Sequence, residues 1–281
     1  MIHVYASAKP YFKAVITMNS FDTASPLKAY SLFSGSKGNC FYIVSEKAQL
    51  LFDCGMSAKA TEEALNSLGS SLSEISAIFI THEHSDHTAG LPAIAKKHKI
   101  PVHISEASAN ALSCASKIED LLEKHPPLFS VKVGDLTVES FVTPHDSVLC
   151  LGYRICSESC RCGIATDVGY ITPEIMDMLS GCDGVVIECN HDRDMLIRGN
   201  YPQQLKARIL SDNGHLSNDD CATAIAALTE TGTSKFMLAH LSADNNSPLA
   251  AVEKVENALK DAAAVGVRVV VAPPDCVARL M

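Results

Sequence analysis

Three histidines and an aspartate crowd into six residues, His82-Glu83-His84-Ser85-Asp86-His87. Imidazole nitrogens beside carboxylate oxygens are the donor mix that zinc, manganese and iron accept. Such a cluster is costly in an apolar core and serves no purpose on a solvated face, so metal binding is the chemistry it predicts. Alternate residues of an extended segment share a face, which would align His82, His84 and Asp86. His87 would join them as the chain turns into a helix. Glu83 falls between two ligands and is expected to point away.

The run follows residues 77–80, a short apolar stretch of the kind buried inside a sheet. Further strands are expected at 28–33, 40–45, 49–53, 136–142, 149–155, 163–166, 184–187, 235–238 and 268–271. Helices are expected at 60–68, 88–98, 107–113, 173–179, 202–210, 218–229 and 247–259. Ser217-Asn218-Asp219-Asp220 reads as a capping box that starts one of them. Strands alternating with helices throughout predict a layered α/β architecture. The glycine loop 34–39 reads equally as a hairpin or as a nest of backbone N–H groups for an anion.

With 281 residues, 47% apolar and 20% charged, the chain has globular proportions. No apolar run reaches the roughly 18 to 20 residues of a membrane span, and the first residues lack a secretion-signal pattern. Eleven cysteines, an odd count, then read as free thiols in a reducing cytoplasm. Cys160-Arg161-Cys162 is too tight for a zinc knuckle and reads as part of a hairpin with small apolar side chains. The formal charge of −9 argues against a broad nucleic-acid footprint. It leaves room for a local phosphate site, where bound cations would reverse the sign. No obligate protein partner is legible. Residues 1–26 show weak periodicity and read as a poorly defined leader, with a single hydrolase domain at 27–281.

His-x-His-x-Asp-His after a buried strand resembles the metallo-β-lactamase superfamily, which implies an α/β fold, a four-layer αββα sandwich with metal at one sheet edge. The resemblance extends to Asp53 in Leu51-Phe52-Asp53-Cys54-Gly55 and His145 in Thr143-Pro144-His145-Asp146. It also takes in Asp167 in Ile164-Ala165-Thr166-Asp167 and His240 in Met237-Leu238-Ala239-His240. It implies that His82, His84 and His145 hold one divalent ion, that Asp86, His87 and His240 hold a second, and that Asp167 bridges them. Asp53 would orient the cluster from behind. Two ions, zinc or manganese with iron also suited, would lie about 3.5–4 Å apart and provide a bridging hydroxide as nucleophile. His84 stands where the redox branch of the superfamily carries a glutamate, which favours hydrolysis.

The segments between Asp167 and His240 narrow the choice. Glu188-Cys189-Asn190-His191-Asp192, residues 205–211 and Gly214-His215-Leu216-Ser217-Asn218 resemble the YycJ/WalJ-type exonucleases, as do residues 34–40 and 238–242. The likeness runs from about residue 29 onward and implies a cytoplasmic 5′-to-3′ DNA exonuclease acting on DNA ends. Asp86, Asp167 and His215 would then take part in the chemistry, and Asn190, His191, Ser217, Lys206 and Arg208 would hold the substrate. On their own terms, residues 214–217 lead into a helix N-terminus, which favours an anion. Arg193, Arg198, Lys206 and Arg208 form either a strand-guiding patch or a solvated helix face. His191 and His215 read either as functional or as satisfied structural histidines. A small-molecule hydrolase acting on a phosphodiester, thioester or lactone is the competing expectation.

Overall fold

Burial along residues 136–143 alternates as a half-buried strand requires, then shifts phase at the buried pair Ser140-Phe141. Period-2 segments of this kind build two sheets in the computed structural model, which describes residues 27–281; the leader expected at 1–26 lies outside the described residues. The first half supplies β1 (Lys28–Phe33), β2 (Cys40–Val44), β3 (Gln49–Phe52), α1 (Ala58–Ser67), β4 (Ala77–Phe79), α2 (Ser85–Thr88), α3 (Leu91–His98), β5 (Val102–Ser105), α4 (Glu106–Ala111) and β6 (Leu122–His125). The second half begins with β7 (Ser130–Val133), β8 (Leu136–Thr143), β9 (Cys150–Cys156), β10 (Arg161–Ala165), α5 (Pro173–Leu179), β11 (Gly184–Glu188) and α6 (Arg193–Arg198). It continues with α7 (Gln203–Ile209), α8 (Asn218–Glu230), β12 (Lys235–Ala239), α9 (Pro248–Asp261), β13 (Arg268–Val271) and β14 (Ala278–Arg279).

The strands form two seven-stranded sheets, in the orders β14-β1-β2-β3-β4-β5-β6 and β13-β12-β11-β10-β9-β8-β7. Strands β3 to β6 run parallel in the first sheet, and β10 to β13 run parallel in the second. Three apolar cores separate four layers. Phe41, Phe52, Phe79, Tyr153 and Met237 fill the space between the sheets. Ile94, Leu65 and Ile104 pack helices on the outer face of the first sheet, and Leu179, Ile225 and Val255 do the same on the second. This is the α/β, four-layer αββα sandwich.

The sheets are pinned together at the edge where the histidine run emerges. Tyr153 of β9 donates its hydroxyl to the Ile80 carbonyl at 2.5 Å, and Leu151 N donates to the Thr81 carbonyl at 3.1 Å. Just beyond, the helix expected at 88–98 is two helices. The chain turns through α2, and Asp86 lies inside that turn rather than on an extended segment. It breaks at Gly90, where a Cβ would come 1.8 Å from the Met56 carbonyl oxygen. Strands β5, β6, β7 and β14 and helix α6 were not anticipated. Strands β6 (LEKH) and β7 (SVKV) are edge strands of four residues with exposed charges; β6 shows no apolar alternation, and the alternation of β7 is only two valines long.

His103 on β5 and His125 on β6 pair through Nδ1 and Nε2 at 2.9 Å. The His103 ring also stacks on Phe79 at 4.6 Å. Burial, then the neighbouring His125, push the His103 imidazole down from 6.5 to about 4. Inside that window the unfolded chain binds a proton that the folded chain refuses, so stability is lost as pH falls from 6.5 toward 4. Replacing His103 by Leu will flatten this slope relative to the unaltered protein in urea unfolding across the same window. Parallel slopes would show that the pair does not carry the effect.

Candidate metal centre and its cleft

The ends of parallel strands deliver the polar groups. Asp53 follows β3, Asp167 follows β10 by one residue, and His240 follows β12 directly. All three adopt left-handed backbone, with φ of 61°, 58° and 57°. Each costs about 1 kcal/mol or more for a non-glycine residue. The left-handed residue reverses the chain sharply at the strand end. His82 and His84 lie between β4 and α2, where His84 is the N-cap, while Asp86 and His87 sit in α2 itself. The loop after Asp53 packs tightly on this turn: Cys54 N donates to the His87 carbonyl and Asn39 N to the Asp86 carbonyl, both at 2.8 Å. Only glycine fits at position 55, because a Cβ there would lie 1.8 Å from the Asp86 carbonyl oxygen.

The structure brings all seven expected ligands together. One ligand atom from each of His82, His84 and His145 can be chosen so that all lie within 4.8 Å of one another, and the same holds for Asp86, His87 and His240. Asp167 stands between the two sets, with Oδ1 3.7 Å from His145 Nε2 and Oδ2 3.2 Å from His87 Nε2. His82 Nε2, His240 Nε2 and Asp167 Oδ2 are buried without any hydrogen-bond partner. Buried lone pairs that face one another unpaired are unfavourable, and a cation among them satisfies all of them at once. The donor set therefore fits divalent metal. Burial, reinforced by His87, holds the His82 imidazole well below its usual range and keeps it neutral, as ligation requires. Burial opposes charge on Asp167, but His240 and His87 outweigh it and hold the carboxyl well below the usual range.

Two fully buried carboxylates orient these groups. Asp53 Oδ2 accepts from His87 Nδ1 at 2.7 Å, and Oδ1 accepts from Thr81 N at 2.9 Å. Thr81 Oγ1 also reaches His82 Nδ1 at 3.0 Å. On the other sheet Glu188 Oε1 lies 2.8 Å from both His215 Nδ1 and His240 Nδ1, while Oε2 accepts from Val168 N and Leu216 N. Burial raises the Glu188 pKa, but the His215 charge and the bonds from His215 and His240 prevail and pull it to about 2. Glu188 was missed as a site residue; its signal was an acidic residue at the end of an apolar strand, one step before Cys189-Asn190-His191. His145 is fixed by a bond from Nδ1 to the Gly214 carbonyl at 3.0 Å.

A cleft of about 290 Å³ opens over this cluster, lined in part by His84, Asp86, His145, Asp167, His215 and His240. Of the expected substrate contacts, Asn190 and Arg208 reach it. The Asn190 amide is spent on the His240 carbonyl at 2.8 Å, and Arg208 pairs with Asp146. The structure does not bring the others there. Lys206 is buried and donates to the Ile197 and Gly199 carbonyls, closing the C-terminal end of α6. Ser217 is the N-cap of α8, bonded to Asp220 and Arg193. His191 is buried, with neither ring nitrogen hydrogen-bonded, and burial pushes its pKa down to about 4. The loop 34–39 is pinned rather than open: Ser34 Oγ accepts from His240 N and Asn39 Oδ1 from Gly35 N.

Because outer partners set the tautomer and aim of each ligand, Asp53→Asn and Glu188→Gln will each weaken metal binding about 10- to 100-fold. Competition against a chromogenic chelator measures it; unchanged affinity in both variants would remove the orienting role.

A family model described as a beta-lactamase superfamily domain matches residues 48–241. The chain is 37% identical over 238 residues to exodeoxyribonuclease YycJ of Bacillus anthracis, covering 82% of this chain and 88% of that protein. It is 36% identical over 219 residues to exodeoxyribonuclease WalJ of Streptococcus pneumoniae serotype 2, covering 76% and 81%. Among solved structures, the metallo-beta-lactamase fold protein YhfI from Bacillus subtilis superposes with a TM-score of 0.66 at 16% identity, over 91% of this chain and 100% of that one. The short form of human tRNase Z gives 0.63 at 15% identity, over 90% and 99%. These two share the fold. The matched span and the identity to the exodeoxyribonucleases show that the chain belongs to the beta-lactamase superfamily, as a metal-dependent hydrolase of the YycJ/WalJ type.

Proposed function

We propose that the chain is a cytoplasmic phosphodiesterase holding two divalent ions and degrading DNA from a 5′ end. The observation that carries this reading is His215, which stands in the cleft beside the ligand cluster with Nδ1 committed to Glu188 and Nε2 left for a substrate. The names of the two exodeoxyribonuclease relatives support it, and eleven free thiols suit a reducing compartment. No helix among the described residues is long and apolar enough to cross a membrane.

His82, His84 and His145 would hold one ion and Asp86, His87 and His240 the other, with Asp167 reaching both. Bound there, the ions supply Lewis acidity toward the phosphoryl group and the attacking water. Burial works against a charged His215, but the Glu188 carboxylate prevails and raises its pKa. An imidazolium donates from both nitrogens. His215 Nε2–H can therefore meet charge developing on a phosphoryl or leaving oxygen, while Glu188 fixes the ring. The Asp167 carboxylate, lying between the two ligand sets, would orient the attacking water and steady its departing proton. Arg208 stands on the cleft wall and can exchange Asp146 for a phosphate oxygen, an anion it grips bidentately. The small volume of the cleft favours a second reading, a small phosphodiester as substrate.

Linear DNA labelled at either end decides between them. With zinc or manganese loaded, the 5′ label will be released first. Intact 5′-phosphorylated DNA, alongside hydrolysis of a small diester or a thioester, would overturn the nuclease reading. His215→Ala will lower kcat on DNA by roughly 100- to 1,000-fold, the loss expected for one transition-state donor, while metal content measured by elemental analysis stays the same. Arg208→Ala will act mainly on KM.

A further inference from the structure

A second depression, about 370 Å³, adjoins the cleft and shares Ser36, Leu241 and Ser242 with it. Its walls are the loop after β1, the segment after β12 that begins at His240, and residues 271–274 at the end of β13. All three leave the sheet edge that carries the candidate metal centre. The groove thus begins one residue from a candidate ligand, His240, and contains none of the seven candidate ligands. Its size falls within the ~300–1,000 Å³ of small-ligand sites.

The chemistry of the two depressions differs. The cleft presents Asp86, Asp146 and Asp167. Among the described residues lining the groove none is acidic, and the sole charged residue is Lys37 on its exposed rim. Leu241, Ala243, Pro248, Val271 and Pro273 give it apolar faces. Asn246, toward its floor, is held by its own bonds to the Cys189 and Asn190 carbonyls. In a chain of net charge −9, a groove free of carboxylates is where a polyanion can lie with least repulsion. Aliphatic and proline side chains beside one cation suit the apolar face of a base and the phosphate next to it, and contact with the face of a base tolerates every sequence.

We propose that this groove is a nucleoside subsite: it takes the base of a nucleotide flanking the phosphodiester held in the cleft, with Lys37 meeting the adjoining phosphate. The inference rests on the DNA reading above. It gives the small cleft a polymer substrate without enlarging it, because the strand continues over Ser36 and Leu241 into the neighbouring depression. It also predicts a nuclease that holds single-stranded ends by their bases but reads no sequence.

The test is made first on the substrate, with the protein unaltered and metal-loaded. Oligonucleotides carrying one abasic residue at the first, second or third position from the 5′ end are compared with the intact strand. The expected result is a fall in kcat/KM on the order of ten-fold at one position, the scale of losing one base contact. Ala243→Trp, which fills the groove, will impose a similar loss on the intact strand and no further loss on that abasic strand. Equal cleavage of all strands, or losses that multiply between the variant and the abasic strand, would overturn the subsite and leave the nuclease reading standing. Failure of the unaltered protein on every strand, with a small diester still hydrolysed, would overturn the DNA reading and the subsite with it.

Discussion

One buried carboxylate, Glu188, gathers the half of the candidate centre that lies on the second sheet. It meets two imidazoles and two backbone amides drawn from the loops after β10, before α8 and after β12. A carboxylate with no exposure survives in an interior only when its oxygens are met in this way. Asp53 is its counterpart on the first sheet, meeting His87 and Thr81 beyond the neighbouring strand β4. Each sheet therefore places one buried acid at the end of a strand, and each acid aims histidines at the seam. The ligand cluster is where the two sets meet.

Convergence comes with strain. Asp53, Asp167 and His240 all hold left-handed backbone, and none of them is glycine, which would adopt it freely but offers no donor. The aspartates suit this region better than most residues. The strain persists because neighbouring bonds over-determine it: Asp53 N is tied to the Phe79 carbonyl, and His240 N to Ser34 Oγ. The same tie pins the loop after β1 beside the cleft, joining the first sheet to the second across the active edge.

Much of this was legible in the residues. The histidine run, its buried strand and the later Asp167 and His240 announce themselves because ligand types are rare and fall at strand ends. Asp86 was placed on an extended face, yet it lies in the short turn α2, since spacing alone cannot tell alternation from a single helical turn. Glu188 was present in a quoted motif but carried no role, because a single acidic residue in a run of apolar neighbours gives no sign of the four groups that will meet it. Lys206 was read as a contact for DNA. Its charge is visible in sequence, but the open carbonyls of α6 that claim it are not. His191 and Ser217, neighbours through a backbone bridge, likewise turn inward.

Strand β14 pairs with β1 through Tyr30 and Arg279, so the first sheet receives its edge from the last of the described strands. Among the described elements, β14 is what pairs with the outer edge of β1, and it follows every strand of the second sheet in sequence. The contact joins residues far apart in sequence, Tyr30 and Arg279, a slow kind of closure. Until then the unpaired edge invites strands of other nascent chains. Closing the edge of the first sheet therefore depends on a strand that follows the whole of the second, which ties the two halves of the sandwich into one cooperative unit.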